Sequence, residues 1–168
     1  MSDKLLLPKF LTQGVAESAI VAAVDMTFRA IPVKREMLHV VVLVPEMDVT
    51  SRKWPDYPIR PFCIAQMSFG NMKDWPYKFD EIAQCKALQL WHDRNDGGTD
   101  ITPHLLFPND TPFWGGVKRH GIVVSCSGVQ PWFDRMIAGI TADVCVARAY
   151  DAWMSSSDKA DDELCFLT

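Results

Sequence analysis

Residues 37–44, MLHVVVLV, constrain the fold more than any other stretch of the chain. Seven of the eight are apolar and four are β-branched. That pattern suits a β-strand buried on both faces rather than a strand with one face in water. A sheet built around it needs helical cover on one or both faces. The single polar member, His39, is expected to be a hydrogen-bonded sheet histidine.

The flanking segments supply that cover. Thr12 is a candidate N-cap, and Val15, Ala19, Ala22, Ala23, Met26 and Ala30 follow at helical spacing, stopped by Pro32. A first helix is predicted over 12–31, with residues 1–10 as an arm. Residues 45–58 are proline-rich and charged, and read as a loop. A second strand is predicted over 59–69, with Phe62 and Ile64 on one face and Cys63, Ala65 and Met67 on the other. Pro61 places its start on a sheet edge. Asp74 and Pro76 read as the start of a second helix, ended by 95–98, Asn-Asp-Gly-Gly. A long loop over 97–112 leads to a hairpin, 114–119 and 122–127, around His120-Gly121. A third helix begins near Pro131 and buries Phe133, Ile137, Ile140, Val144 and Ala147. Residues 155–168 form a tail whose last apolar residues, 165–167, dock on the domain or on a partner. The expected fold is a single α+β domain: helix, then two strands and a helix twice over, with an antiparallel sheet covered by helices.

The chain has 168 residues, 48% of them hydrophobic, and a net charge of -4. No basic stripe marks a nucleic-acid surface. No apolar run reaches the roughly 20 residues of a membrane helix, and the three leucines at 5–7 are too few for a signal peptide. A cytoplasmic protein is the expectation. Cysteines stand at 63, 85, 126, 145 and 165 with no C-x-x-C pair. An odd, unpaired set argues for buried thiols rather than a disulfide or zinc framework.

No self-sufficient catalytic motif is present. The histidines, 39, 92, 104 and 120, lack every close metal-ligand spacing. His104 with Asp100 and Asp110 is the least implausible metal nucleus, against the simpler reading of a solvated loop. His92 suits a helix C-terminus. Ser125-Cys126-Ser127-Gly128 at a strand-to-helix junction is not a nucleophile elbow. A thiolate at Cys126 remains open beside the plainer reading of a turn and cap. Gly115-Gly116 is no phosphate loop and instead permits close backbone approach or a bulge. No catalytic residue and no metal ligand are assigned to this chain.

The aromatic residues are the unusual signal. Of six tryptophans, Trp54, Trp75, Trp114 and Trp132 fall outside the periodic core, each with a proline within two residues. Rigid loop aromatics of this kind either plug core ends or form interfaces and binding pockets. Trp75, between Asp74 and Pro76-Tyr77, is the candidate substrate-binding residue. Trp54, Tyr77, Trp114 and Trp132 are candidate interface residues.

Two resemblances follow. Gly115, Gly116, Ser127, Gly128 and Asp134, with the Lys86-Ala87 pair and the first helix, resemble the GlcG/HbpS-like, haem-degrading-type domain family. Trp114 stands where that family has proline. Pro45-Glu46-Met47-Asp48 replaces its Asp and glycines after the first strand. This resemblance implies a GlcG/profilin-like fold and, as one functional alternative, a homo-oligomer binding haem or another planar ligand, with His92 or His104 as axial ligand. The whole chain, by its length, its lack of a metal set and the aromatic turn Trp75-Pro76-Tyr77, also resembles the small subunit of two-subunit, iron(II)-dependent hydroquinone 1,2-dioxygenases. That resemblance implies a larger subunit holding Fe(II), a heterotetramer, and an aromatic substrate whose pocket this chain helps complete.

Overall fold

A computed structural model describes residues 5–48, 55–56, 58–95, 103–160 and 167–168. The protein is an α+β domain in three layers. Its helices are α1 (Gln13–Ala30), α2 (Phe79–Trp91) and α3 (Pro131–Met154). Its strands are β1 (Leu5–Leu6), β2 (Leu38–Asp48), β3 (Ile59–Phe69), β4 (Gly116–Arg119) and β5 (Ile122–Ser127), all paired antiparallel. β2 is the central strand. β3 lies along one side of it, and β5 followed by β4 lies on the other.

The apolar run of β2 has the two-sided burial expected of it. Val40, Val42 and Val44 face α1 and α3 in the larger core with Ile20, Val124 and Ile137. Val41 and Leu43 face α2, against Ala83, Ala87 and Leu90. Each face is thus shielded by helices, and the strand needs no polar residues along these positions.

α1 keeps its predicted start: Thr12 Oγ1 accepts a hydrogen bond from the Val15 amide at 3.3 Å. Other boundaries differ from expectation, each for a physical reason. β2 runs on to Asp48, through residues expected to be loop. Its continuation is paired on both sides, by β3 with Pro45 opposite Pro61, and by β1 with Leu5 opposite Asp48. The supposed arm therefore contributes a short strand. Beyond it the Leu7 amide donates to the Thr168 carbonyl and the Thr168 amide donates back. Leu167, from the apolar end of the tail, docks on the domain itself beside Pro8.

In β3 the register shifts between Val42, opposite Ala65, and Leu43, opposite Cys63. Ile64 is the extra residue of this bulge, so Ile64 and Ala65 both face the core and Cys63 turns out to solvent. Strict alternation had placed Cys63 with Ala65 and Met67. Of the thiols expected to be buried, Cys126 and Cys145 are, Cys85 is half-buried and Cys63 is exposed. Cys165 lies outside the described residues.

α2 begins at Phe79 rather than at Asp74. Pro76 disfavours helical backbone at the residue before it, and Trp75 is extended at φ -67, ψ 124. Asp74 instead closes a short 3-10 turn, Met72–Asp74, whose cap is Asn71. α2 also ends earlier than the Gly-Gly pair, in a Schellman motif made by Asp93. Asp93 takes φ 56, its amide donates to Leu90, and the Arg94 amide donates to Gln89 at 2.8 Å.

The β4–β5 hairpin turns at His120-Gly121, with φ 49 and 77, the paired left-handed geometry of a tight two-residue turn. α3 starts with Pro131 in its first turn, as expected. Its buried stripe is rotated from the predicted one. Ile137, Ala138, Thr141, Ala142 and Cys145 are fully enclosed, Phe133, Ile140 and Val144 flank them, and Ala147 is exposed. Small residues let the helix approach the sheet closely, and the larger apolar residues pack at its sides.

Candidate functional site

The site begins with the extended backbone that Pro76 imposes on Trp75. The turn over 70–78 crosses the end of the sheet where β3 finishes and β2 begins, since Leu38 pairs with Phe69 and His39 with Ser68. Trp75 comes to rest partly buried between two rings. Its indole lies 5.3 Å from the Phe79 ring centroid in a tilted contact and 6.4 Å from His39 in an edge-on one. Tyr77 reaches the same Phe79 ring at 6.4 Å yet stays 66% exposed. The Arg35 guanidinium lies 5.9 Å from the Phe79 ring centroid. The Trp75 indole N–H is buried with no hydrogen-bond partner among the described residues. A buried N–H left without a partner costs about 1–3 kcal/mol, and no described residue offsets that cost for Trp75.

Beneath Trp75, His39 sits in a short polar network. Gln66 Oε1 can only accept, so the His39 Nε2–H donates to it at 3.2 Å. Ser68 Oγ lies 2.8 Å from Nδ1 and supplies the complementary donor. Gln84 Nε2 donates to the same Gln66 oxygen at 3.2 Å. Burial lowers the His39 pKa below the ordinary imidazole value, with the Gln66 hydrogen bond and the Asp80 charge opposing. His39 is thus the hydrogen-bonded sheet histidine expected from the sequence.

Other candidates fall at the same end of the sheet. Trp114, partly buried, precedes Gly115, whose carbonyl accepts from the Cys126 amide. Trp132, 57% exposed, lies in the first turn of α3 beside Phe133. A side chain at Gly115 would meet the Pro131 carbonyl, so the Trp114 and Trp132 segments adjoin. Trp54 lies outside the described residues.

The residues behind the first resemblance converge on one buried cluster. Lys86 Nζ, from α2, donates to the Cys126 carbonyl at 2.8 Å and lies 3.6 Å from Asp134 Oδ2, from α3. Asp134 Oδ1 accepts from the Val129 amide at 3.1 Å. Burial pulls the Lys86 pKa down, and the charge of Asp134 opposes it. A Cβ at Gly115 would stand 2.8 Å from the Asp134 Cβ, and one at Gly116 would stand 2.6 Å from Leu90 Cδ1. The glycine pair therefore serves close backbone approach. The cluster is buried and ties α2, β5 and α3 together.

The remaining chemistry resolves simply. Cys126 is fully enclosed, and burial pushes its thiol well up, the reverse of an activated thiolate. Ser125 donates to the Ala83 carbonyl inside the core. Asp110 is bonded to Arg94 and to the Phe107 amide, and His104 is exposed. Asp100 lies outside the described residues. His92 follows the last turn of α2, exposed. No group of three or more His, Cys, Asp or Glu able to hold a metal occurs among the described residues, and none of their helices is long and apolar enough to cross a membrane.

A feature the sequence reading missed lies at the opposite end of the sheet. Pro8, Phe10, Val44, Ile122, Tyr150 and Trp153 help line a cleft of about 610 Å³, and His120 is part of the same lining. Tyr150 and Trp153 meet edge to face at 5.2 Å. Their i, i+3 spacing near the end of α3 is the sequence signal for this cleft, and it lies apart from the helix's core stripe.

No protein-family model, no curated protein and no solved structure matches the chain. Fold and site together define a three-layer α+β domain that presents a proline-braced aromatic turn at one sheet end and an apolar cleft at the other.

Proposed function

We propose that this chain is the small, non-iron-binding subunit of a hetero-oligomeric, cytoplasmic hydroquinone 1,2-dioxygenase. A larger subunit holds Fe(II) and cleaves the ring, and the pair assembles as a heterotetramer. The 70–78 turn of this chain closes the aromatic-substrate pocket of that partner, with Trp75 against the substrate and Tyr77, Trp114 and Trp132 at the subunit interface. The observation that carries this reading is the Trp75 indole, a flat apolar surface braced on Phe79 with an N–H that finds no acceptor among the described residues. A partner or substrate oxygen supplies that acceptor once the turn re-seats on binding. The test is reconstitution under anaerobic conditions with an Fe(II)-loaded larger subunit, followed by oxygen uptake on hydroquinone. Activity is expected only with both chains. A larger subunit that turns over fully alone overturns the proposal.

The apolar cleft favours a second reading, a binding module for a planar ligand. Its described lining carries aromatic walls and one imidazole, His120, in place of the His92 or His104 expected as axial ligand. Lys and Arg are absent from that described lining, so the carboxylates of haem have no cationic partner there. An uncharged planar ring fits the lining better than haem does. Parallel titrations with haemin and 2-naphthol separate the two. No saturable binding of either removes this reading.

A further inference from the structure

The imidazole of His39 occupies a place that packing alone does not require. Its neighbours on β2, Leu38 and Val40, are fully buried aliphatics, and an aliphatic side chain at 39 would keep the strand's apolar run unbroken. Instead the ring is fixed at both nitrogens, by Ser68 at 2.8 Å and Gln66 at 3.2 Å, both on the adjacent strand β3. Gln66 is itself held by Gln84 from α2. A ring anchored at two points cannot rotate about its Cβ–Cγ bond. The group that meets this fixed ring is Trp75, edge-on at 6.4 Å with 71° between planes. That is the favoured geometry for two aromatic groups. Phe79 supports the indole from a second direction, at 5.3 Å.

We infer that His39 is a positioning residue: the Ser68–His39–Gln66 network holds the imidazole so that its ring sets the pose of the Trp75 indole. The assignment deepens the role proposed above for Trp75 and rests on it for its functional consequence, though the positioning itself belongs to this chain alone. Among the described residues, charged groups near the pair include Asp80 on α2, which acts on His39 through space, and Arg35, over the Phe79 ring. Ser127 is the β5 residue opposite His39 and is uncharged. Among these groups the imidazole is the one that changes charge near neutral pH, so the Trp75 pose follows its protonation.

The test has two arms. In the first, the full chain is labelled with 5-fluorotryptophan and the Trp75 fluorine resonance is assigned by its loss in Trp75→Phe. That resonance should titrate with an apparent pKa below the ordinary imidazole value. It should shift and lose its titration in His39→Leu. His39→Gln, which can still accept from Ser68 and donate to Gln66, should restore most of its position without the titration. A Trp75 resonance unmoved by both substitutions overturns the inference, whatever the partner does. The Trp91 and Trp153 resonances report whether the variants remain folded.

In the second arm, hydroquinone turnover is measured with the larger subunit for His39→Leu, Trp75→Ala and the double variant. His39→Leu should raise KM about five- to tenfold with a smaller change in kcat. The double variant should be no worse than Trp75→Ala, since His39 acts through Trp75. Additive losses contradict positioning. A Trp75 resonance that responds to His39 while Trp75→Ala leaves turnover intact upholds the positioning and overturns the proposed function instead.

Discussion

Lys86 Nζ stands 3.6 Å from Asp134 Oδ2 with both side chains almost wholly buried, 3% and 4% exposed. This pair joins α2 on one face of the sheet to α3 on the other, past the end of β5. Breaking a buried pair from one side leaves an uncompensated charge, at a cost of about 3–5 kcal/mol. Asp134→Ala is expected to lose that much stability in urea unfolding, or to prevent folding. Lys86→Met with Asp134→Leu should lose clearly less than the two single changes combined, because neither charge is then stranded. Full additivity would show that the two groups act independently.

Gly128, at φ +145, follows β5 where the chain passes directly over the start of β2. A Cβ there would strike the Met37 carbonyl oxygen and lie 2.6 Å from the Leu38 Cα. Backbone strain and the clash together predict a loss of about 2–4 kcal/mol for Gly128→Ala. Gly121, at φ +77 in the β4–β5 turn, has open space around it. Gly121→Ala should therefore cost only the left-handed backbone penalty, about 1 kcal/mol. Thermal unfolding of the two variants checks this ordering, and equal losses would contradict it.

His39 makes stability depend on pH. Burial holds its pKa below 6.5 in the folded chain, against the Gln66 hydrogen bond and the Asp80 charge. Below about pH 6.5 the unfolded chain takes up a proton that the native chain still refuses. The His39 contribution is thus fully present above that pH and is lost as pH falls towards the folded-state pKa. Urea midpoints should decline between pH 7.5 and pH 5.5 by more in the wild type than in His39→Gln. Equal slopes would show that another group carries the dependence.

Much of the fold was legible because its signals are local. The apolar run of β2, the Thr12 cap, the His120-Gly121 turn and Pro131 each act within a few residues. The errors arose where partners distant in sequence decide. Pro45 to Asp48 read as loop because the pairing that makes them strand comes from Leu5 and from Pro61. The bulge at Ile64, which turns Cys63 outward, follows from register against β2. The same holds for the site. Proline spacing marked Trp75, and the structure adds the Phe79 and His39 rings that hold it. The sequence offered no link between Trp75 and residue 39, because register and chain reversal bring them together. The apolar cleft was hidden for the same reason, being assembled from the N-terminal strand region, β2, the hairpin tip and α3.

The most direct test of the account is oxygen uptake on hydroquinone by the reconstituted pair of chains, comparing wild type with Trp75→Ala after confirming that the variant still assembles. Uptake should need both chains and fall at least about tenfold in the variant, roughly 1.4 kcal/mol of transition-state stabilisation. An assembled Trp75→Ala complex with the wild-type rate, or a larger subunit fully active alone, would contradict it.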